Sequence, residues 1–295
     1  MRIFVTGATG FIGSAVVAEL IGAGHQVVGL ARSDSSAQSV ADAGAEVYRG
    51  SLDDPDSLRR AAENSDGVIH LAFHHDFDDF LSGAELDRTA IETLGGALAG
   101  SDRPLVVAGG ILWLSPGNTL TEEQAAPPEL PRFSEKAVLE FTDSGVRAAV
   151  VRLPPSVHGE GDHGFVPRLI EVAREKGVSA YPGDGTNRWP AVHRLDAAAA
   201  FRRAVESAPA GSILQATDDD GVPVREIAET IGRHLGLPVN SIAPDSAYDH
   251  FGWIGPLFSV DAPATSTRTR ELLGWRPTHS GLLDDLDAGH YFKEG

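Results

Sequence analysis

No cysteine occurs anywhere in the 295 residues. Disulfides, thiolate metal centres and cysteine nucleophiles are therefore excluded. Basic side chains are also scarce. Only 24 lysines and arginines face 42 aspartates and glutamates, a formal charge of −18. So acidic a chain repels nucleic acid and anionic membranes, and neither is expected as a partner. No apolar run reaches the length that spans a bilayer, and no basic stretch leads into an apolar one at the N-terminus. The expected location is the cytoplasm. Tyrosine is rare, with only Tyr48, Tyr181, Tyr248 and Tyr291. Low-complexity linkers and internal repeats are missing, so one large domain or two intimately joined ones are expected.

What the chain does have is glycine in one telling place. Thr6-Gly7-Ala8-Thr9-Gly10-Phe11-Ile12-Gly13 follows a short apolar strand, Arg2–Val5, and precedes a helical stripe of Ile12, Val16 and Leu20. Between a strand and a helix, the first glycine permits a tight turn. The second lets backbone approach a pyrophosphate, and the third packs helix on sheet. Backbone N–H groups at the helix start then hold the phosphates. Gly7, Thr9, Gly10, Phe11, Ile12 and Gly13 are the candidate dinucleotide contacts.

Strand and helix patterns alternate through the first half. Strands are predicted at 26–31, 46–49, 67–70, 104–108 and 147–153, with helices at 36–43, 55–62, 83–99 and 134–144. Such alternation predicts an α/β protein with a Rossmann-type, doubly wound parallel sheet and a smaller C-terminal substrate-binding cap. Residues 1–155 form the dinucleotide-binding domain, continued by about 188–216. Residues 156–187 and 217–295 form the cap. Ligands in such a sheet bind beyond the C-terminal ends of the strands.

The second strand ends in Arg32 and Ser33. An acidic residue there suits the adenosine ribose diol, whereas a basic one suits a 2′-phosphate. NADP(H) is the expected cofactor. Asp34, two residues from Arg32, keeps NAD(H) open. Leu52, after the third strand, is expected to flank the adenine.

With these features the sequence resembles the extended short-chain dehydrogenase/reductases, in an atypical epimerase/dehydratase-like branch. The glycine run matches. So do Val68-Ile69-His70-Leu71-Ala72, the Val151–Gly159 segment with His158 at a tyrosine place, and Gly183-Asp184-Gly185. Trp189–Asp196 resembles the family's His-Val-x-Asp segment. The resemblance implies that Leu71 and Ala72 line the cofactor. It also implies a Tyr-x-x-x-Lys pair and an upstream serine. Lys136 looks like the lysine, contacting the nicotinamide ribose. Arg132 stands where the tyrosine belongs, and Gly109 where the serine belongs. Arginine is a poor proton donor, because its pKa lies above about 12. The resemblance makes His193 a structural residue beside Asp196.

Replacement donors are sought in Leu71–Asp79. His75, then His74, can supply a proton, with Asp76 orienting the ring, and Ser134 can bond a substrate oxygen. No metal site is expected. Gly109, Ile111, Trp113, Arg132, His158 and Trp189 are the candidate substrate residues, with Phe165 and Trp253 as further cap wall. Their character favours a small apolar substrate. Three functions stay open. The first is an NADP(H)-dependent oxidoreductase with a non-standard proton donor, as a monomer or homodimer. The second is a cofactor-binding protein without net redox chemistry, an isomerase, lyase or sensor. The third is a nucleotide-sugar epimerase or dehydratase.

Overall fold

A computed structural model describes residues 1–74, 79–127, 130 and 134–293. The first half alternates strand and helix: β1 (Arg2–Thr6), α1 (Phe11–Gly22), β2 (Gln26–Ala31), α2 (Asp34–Asp42), β3 (Glu46–Arg49), α3 (Pro55–Glu63), β4 (Gly67–His70), α4 (Phe80–Leu98), β5 (Pro104–Gly110), α5 (Ser134–Leu139) and β6 (Arg147–Leu153). Local chemistry sets the helix starts. Ser33 caps α2 through the Ser36 N–H, and Asp54 caps α3 ahead of Pro55. A single 3-10 turn continues α5 to Ser144, where Gly145 takes a left-handed φ of 71°.

Seven strands pair in the order β3-β2-β1-β4-β5-β6, closed by β10 (Ser212–Gln215), and every neighbouring pair is parallel. This is the doubly wound sheet expected from the alternation. Chain order reverses between β1 and β4, which opens a crevice at their C-terminal ends. One face is covered by α1 and by α7 (Arg194–Ser207), through Val16, Leu20, Phe201 and Trp275. The other is covered by α3, α4 and α5, through Leu58, Ile91, Leu94 and Val138.

The cap holds β7 (Ser156–His158), α6 (Phe165–Lys176), β8 (Ser179–Pro182), β9 (Arg188–His193), β11 (Asp219–Pro223), α8 (Val224–Leu235) and β12 (Val239–Ile242). Short helices α9 (Ala247–Phe251), α10 (Ile254–Phe258), α11 (Thr267–Leu273) and α12 (Leu282–Asp287) follow. In the cap, β9 lies between β7 and β11, and β8 pairs with β12. Val166, Ile170, Trp189, Ile227, Ile231 and Phe258 form its core. Because β9 belongs to this small sheet, the chain returns to the large one at α7 rather than at residue 188. The segment after β5 reaches across to the cap, where Leu120 bridges Ala264 and Gly117 N–H donates to the Asp261 carbonyl. No helix among the described residues is long and apolar enough to cross a membrane.

Candidate functional site

The glycine loop is built so that no larger residue fits. Gly7 has a φ of +69°, and a Cβ there would stand 2.7 Å from the Ala72 nitrogen. A Cβ on Gly13 would stand 1.9 Å from the Gly7 carbonyl oxygen, so α1 packs directly on the turn. Gly10 is the N-cap of α1, with no side-chain cap and no acidic residue in the first turn. The first turn of α1 thus has no side-chain cap among the described residues, which suits an anion at the helix start. Thr9 and Gly10 are exposed beside it.

The ends of β1 and β4 are tied together. Leu71 and Ala72 N–H groups both donate to Thr6 Oγ1, each at 3.2 Å. That fills both lone pairs, so the Thr6 hydroxyl donates to His70 Nδ1 at 2.7 Å. His70 is then the Nε2–H tautomer and donates to Asp87 Oδ1 at 3.1 Å. The second Asp87 oxygen accepts the Ser134 hydroxyl at 2.5 Å. All four side chains are buried. A continuous hydrogen-bonded chain thus runs from the glycine loop to the start of α5. Neither His70 nor Asp87 stands out by sequence spacing, because their link spans two elements.

Ser134 therefore lies at the inner end of α5, with its hydroxyl proton committed to Asp87. Next to it Glu135 faces inward and forms a double ion pair with the buried Arg152, at 2.7 and 2.8 Å. Lys136 does not follow them. Its side chain is exposed in a groove lined by Glu85, Arg88, Glu92 and Glu140, on the outer face of α4 and α5. The lysine role that the family resemblance implied is thus corrected: helical phase turns Lys136 away from the sheet edge. His75, Asp76 and Arg132 lie outside the described residues. His74 is exposed at the end of β4.

The substrate candidates separate by burial. Trp113 is 44% exposed and adopts a φ of +70°, a strained conformation for a bulky side chain. It occupies the third position of a turn closed by the Leu114 N–H on the Ile111 carbonyl at 3.1 Å. Ile111 is buried with Leu120 and Ala264, so it anchors the segment to the cap and leaves no surface for a ligand. Gly109 is buried too. A Cβ there would meet Val150 at 3.0 Å, whereas Gly110 faces open space. Of the two, Gly110 is the position with room for a side chain. Trp189 is fully buried between Phe165 and Phe258, and its indole donates to the Leu257 carbonyl at 3.2 Å. It is core of the cap. Trp253, packed on Phe165, stays 37% exposed.

His158 is fully buried, with Nδ1 2.9 Å from Asp285. It holds the cap together and cannot touch a substrate. His193 caps α7 by accepting the Leu195 N–H, and stacks on His279 at 4.6 Å. Burial, with His158 and His279 nearby, pushes the His193 imidazole down to about 4. His193, Asp196 and His279 do bring donor atoms within 4.8 Å of one another. Yet Asp196 already accepts from Thr278 N, His279 N and the His279 ring. Tyr291 returns to the crevice side, where its hydroxyl meets the Gly159 N–H at 3.0 Å and Asp162 at 3.1 Å. Burial and Asp162 raise this phenol well above its ordinary value, and its hydroxyl donates to Asp162.

At the adenosine end, Arg32 is exposed and forms no ion pair or hydrogen bond among the described residues. Ser33 spends its hydroxyl on capping α2. Asp34 pairs with Arg49 at 2.5 Å. Leu52 packs at the rim of the core under this edge.

A family profile described as NAD dependent epimerase/dehydratase matches residues 3–87. An uncharacterized protein of Schizosaccharomyces pombe is 49% identical over 295 residues, covering 99% of this chain and all of that one. The 2′-dehydrokanamycin reductase of Streptomyces kanamyceticus is 30% identical, over 82% of this chain and 69% of its own. The chain belongs to the NAD dependent epimerase/dehydratase family, of the extended short-chain dehydrogenase/reductase type. The fold of this family member agrees with that of a dTDP-glucose 4,6-dehydratase from Streptomyces venezuelae, solved with NAD bound. The TM-score is 0.77 at 21% identity, over 98% of this chain and 96% of the other.

Proposed function

We propose that this chain is an NADP(H)-dependent oxidoreductase acting on a small, apolar carbonyl or alcohol. The observation that carries the proposal is the glycine cradle. Gly7 and Gly13 admit no side chain, and the uncapped start of α1 beside them suits a pyrophosphate. NADP(H) is favoured over NAD(H) because the exposed Arg32 has no partner among the described residues, whereas Asp34 lies beside Arg49. The cofactor supplies or accepts hydride; the chain's own residues must orient the substrate and move one proton. On reduction, the carbonyl carbon takes the hydride and the oxygen takes that proton. His74 and His75 are proposed for the proton, with Asp76 beside them, because the Tyr291 phenol is tied up at Asp162. Trp113, held exposed at a strained backbone position, supports an apolar or aromatic substrate.

Fluorescence titration with NADPH and NADH tests the cofactor. NADPH should bind more tightly, and Arg32→Ala should weaken it by about tenfold while NADH changes little. Tighter NADH binding by the wild type would sink the NADP(H) assignment. Turnover is tested by cofactor absorbance with a panel of small aliphatic and aromatic ketones and aldehydes. A double His74→Ala, His75→Ala variant that keeps full turnover would remove the proposed donor.

A second reading is a dinucleotide-binding protein without net redox chemistry. The Ser134 proton is committed to Asp87 and Lys136 faces outward, and these facts favour it. Tight NADPH binding with no oxidation across the panel would select it. Heat on titration with a nucleoside diphosphate sugar would select an epimerase or dehydratase instead.

A further inference from the structure

The start of α7 places one cation against the dinucleotide cradle with no anion among the described residues to match it. Arg194 is the first residue of α7, and its guanidinium lies over the Phe11 ring, 4.7 Å from the centroid. Phe11 is the first residue of α1. One arm, Nη2, lies 3.4 Å from Ser14 Oγ in the same first turn. The other arm, Nη1, donates to the Glu160 carbonyl at 2.9 Å. Nε is buried and has no hydrogen-bond partner among the described residues. No carboxylate pairs with this guanidinium among the described residues.

The position is electrostatically wrong for a protein standing alone. The N-terminal ends of α1 and α7 both carry partial positive charge, and a cation belongs at the opposite ends. Asp196, in the first turn of α7, accepts instead from Thr278 and His279. The loop that wraps the guanidinium is shaped for close approach. A Cβ on Gly159 would stand 3.0 Å from Arg194 Cγ, and Gly159 and Gly161 have φ of +136° and +83°. His163, on the same loop, packs its ring on Phe11 at 5.8 Å.

We propose that Arg194, at the start of α7 where the chain returns from the cap to the large sheet, is a pyrophosphate ligand that completes the glycine cradle. It rests on the dinucleotide reading. The unfavourable charge over two helix starts becomes favourable once a diphosphate lies between the guanidinium and the Phe11–Gly13 N–H groups. Cofactor binding would then draw on the cap as well as the Rossmann layer, through the loop from Gly159 to Gly164.

The test uses the whole chain, with Arg194→Leu, which keeps an apolar contact on Phe11, and Arg194→Lys. NADPH and inorganic pyrophosphate are titrated by calorimetry, and melting is followed without and with NADPH. Arg194→Leu should weaken NADPH by about ten- to a hundredfold, with Arg194→Lys between it and the wild type. Without ligand, Arg194→Leu should melt at or above the wild-type temperature, because it removes an unpaired cation from two helix starts. Its melting gain with NADPH should shrink. NADPH affinity within twofold of wild type in the leucine variant would overturn the proposal. If the wild type bound neither NADPH nor NADH, the dinucleotide reading would fail. Pyrophosphate would then decide the anion site alone: lower affinity in Arg194→Leu upholds it, and equal affinity removes it.

Discussion

The Ser134 hydroxyl donates to the Asp87 carboxylate across a gap of 47 residues, and both groups are buried. Through this bond the start of α5 is fixed to α4, and through His70 to the end of β4. Removing Asp87 strands two buried donors at once. Asp87→Ala should therefore cost about 3 kcal/mol in urea unfolding, and Ser134→Ala about 1 kcal/mol. Asp87→Asn should fall between, since one amide oxygen still accepts while the amide NH₂ faces a donor. Equal stability of all three variants would show that the chain of hydrogen bonds contributes nothing.

The three cradle glycines should separate by what a methyl group meets. A Cβ on Gly13 or Gly7 runs into backbone, at 1.9 Å from the Gly7 oxygen and 2.7 Å from the Ala72 nitrogen. Gly13→Ala and Gly7→Ala should lose both fold stability and dinucleotide affinity. A Cβ on Gly10 meets only the Gly7 oxygen, at 3.3 Å, and its φ of −73° suits alanine. Gly10→Ala should melt near the wild-type temperature yet bind NADPH at least about tenfold more weakly, because the methyl stands where phosphate must approach. Circular dichroism with fluorescence titration reads both effects.

Much of the fold was legible because it rests on local period. The strands from β1 to β6 recur between helices, and that alternation marks even the four-residue β3 and β4. The missed strands β7, β8, β11 and β12 are as short, and they lie outside that run of alternating strand and helix. The glycine cradle was equally legible, since its spacing is its mechanism. Side-chain direction was not. His158 and Trp189 suit a binding wall by type, but the cap closes over both. Ser134, Glu135 and Lys136 are neighbours in sequence, and only the packing of α5 decides which turn inward. The link between His70 and Asp87 depends on two elements meeting, and no spacing within either encodes it.

Lys136 gives the plainest test of that difference. It is exposed on the outer α4/α5 face among Glu85, Arg88, Glu92 and Glu140. Lys136→Ala should leave NADPH affinity and any turnover within about twofold, and stability within about 0.5 kcal/mol, as for an exposed site. A loss of turnover beyond tenfold, with affinity intact, would return the lysine to the active site.

Trp113 should trade stability against substrate. Its φ of +70° costs a bulky residue on the order of 1 kcal/mol, and glycine relieves that strain. Trp113→Gly should therefore resist urea as well as the wild type or better, although glycine also frees the unfolded chain. The same variant should raise KM for an aromatic substrate while leaving NADPH affinity unchanged. Unchanged KM would show that the exposed indole serves no substrate.

Acid should weaken the fold through His193. Its imidazole is held down at about 4, against an ordinary value of 6.5, by burial and by His158 and His279, with Asp285 and Asp196 opposing. Between these values the unfolded chain binds a proton that the folded chain refuses. The stabilising contribution is thus complete above about pH 6.5 and is lost as pH falls through about 4. Solvent reaches part of the ring, so the loss is on the order of 1–2 kcal/mol. Asp285 is held below its ordinary range by His158, so its own acid loss falls below this window. His193→Asn keeps an acceptor for the Leu195 N–H and removes the titrating ring. Urea midpoints taken from pH 8 to pH 4.5 should fall more steeply in the wild type than in this variant. Parallel curves would place the acid sensitivity elsewhere.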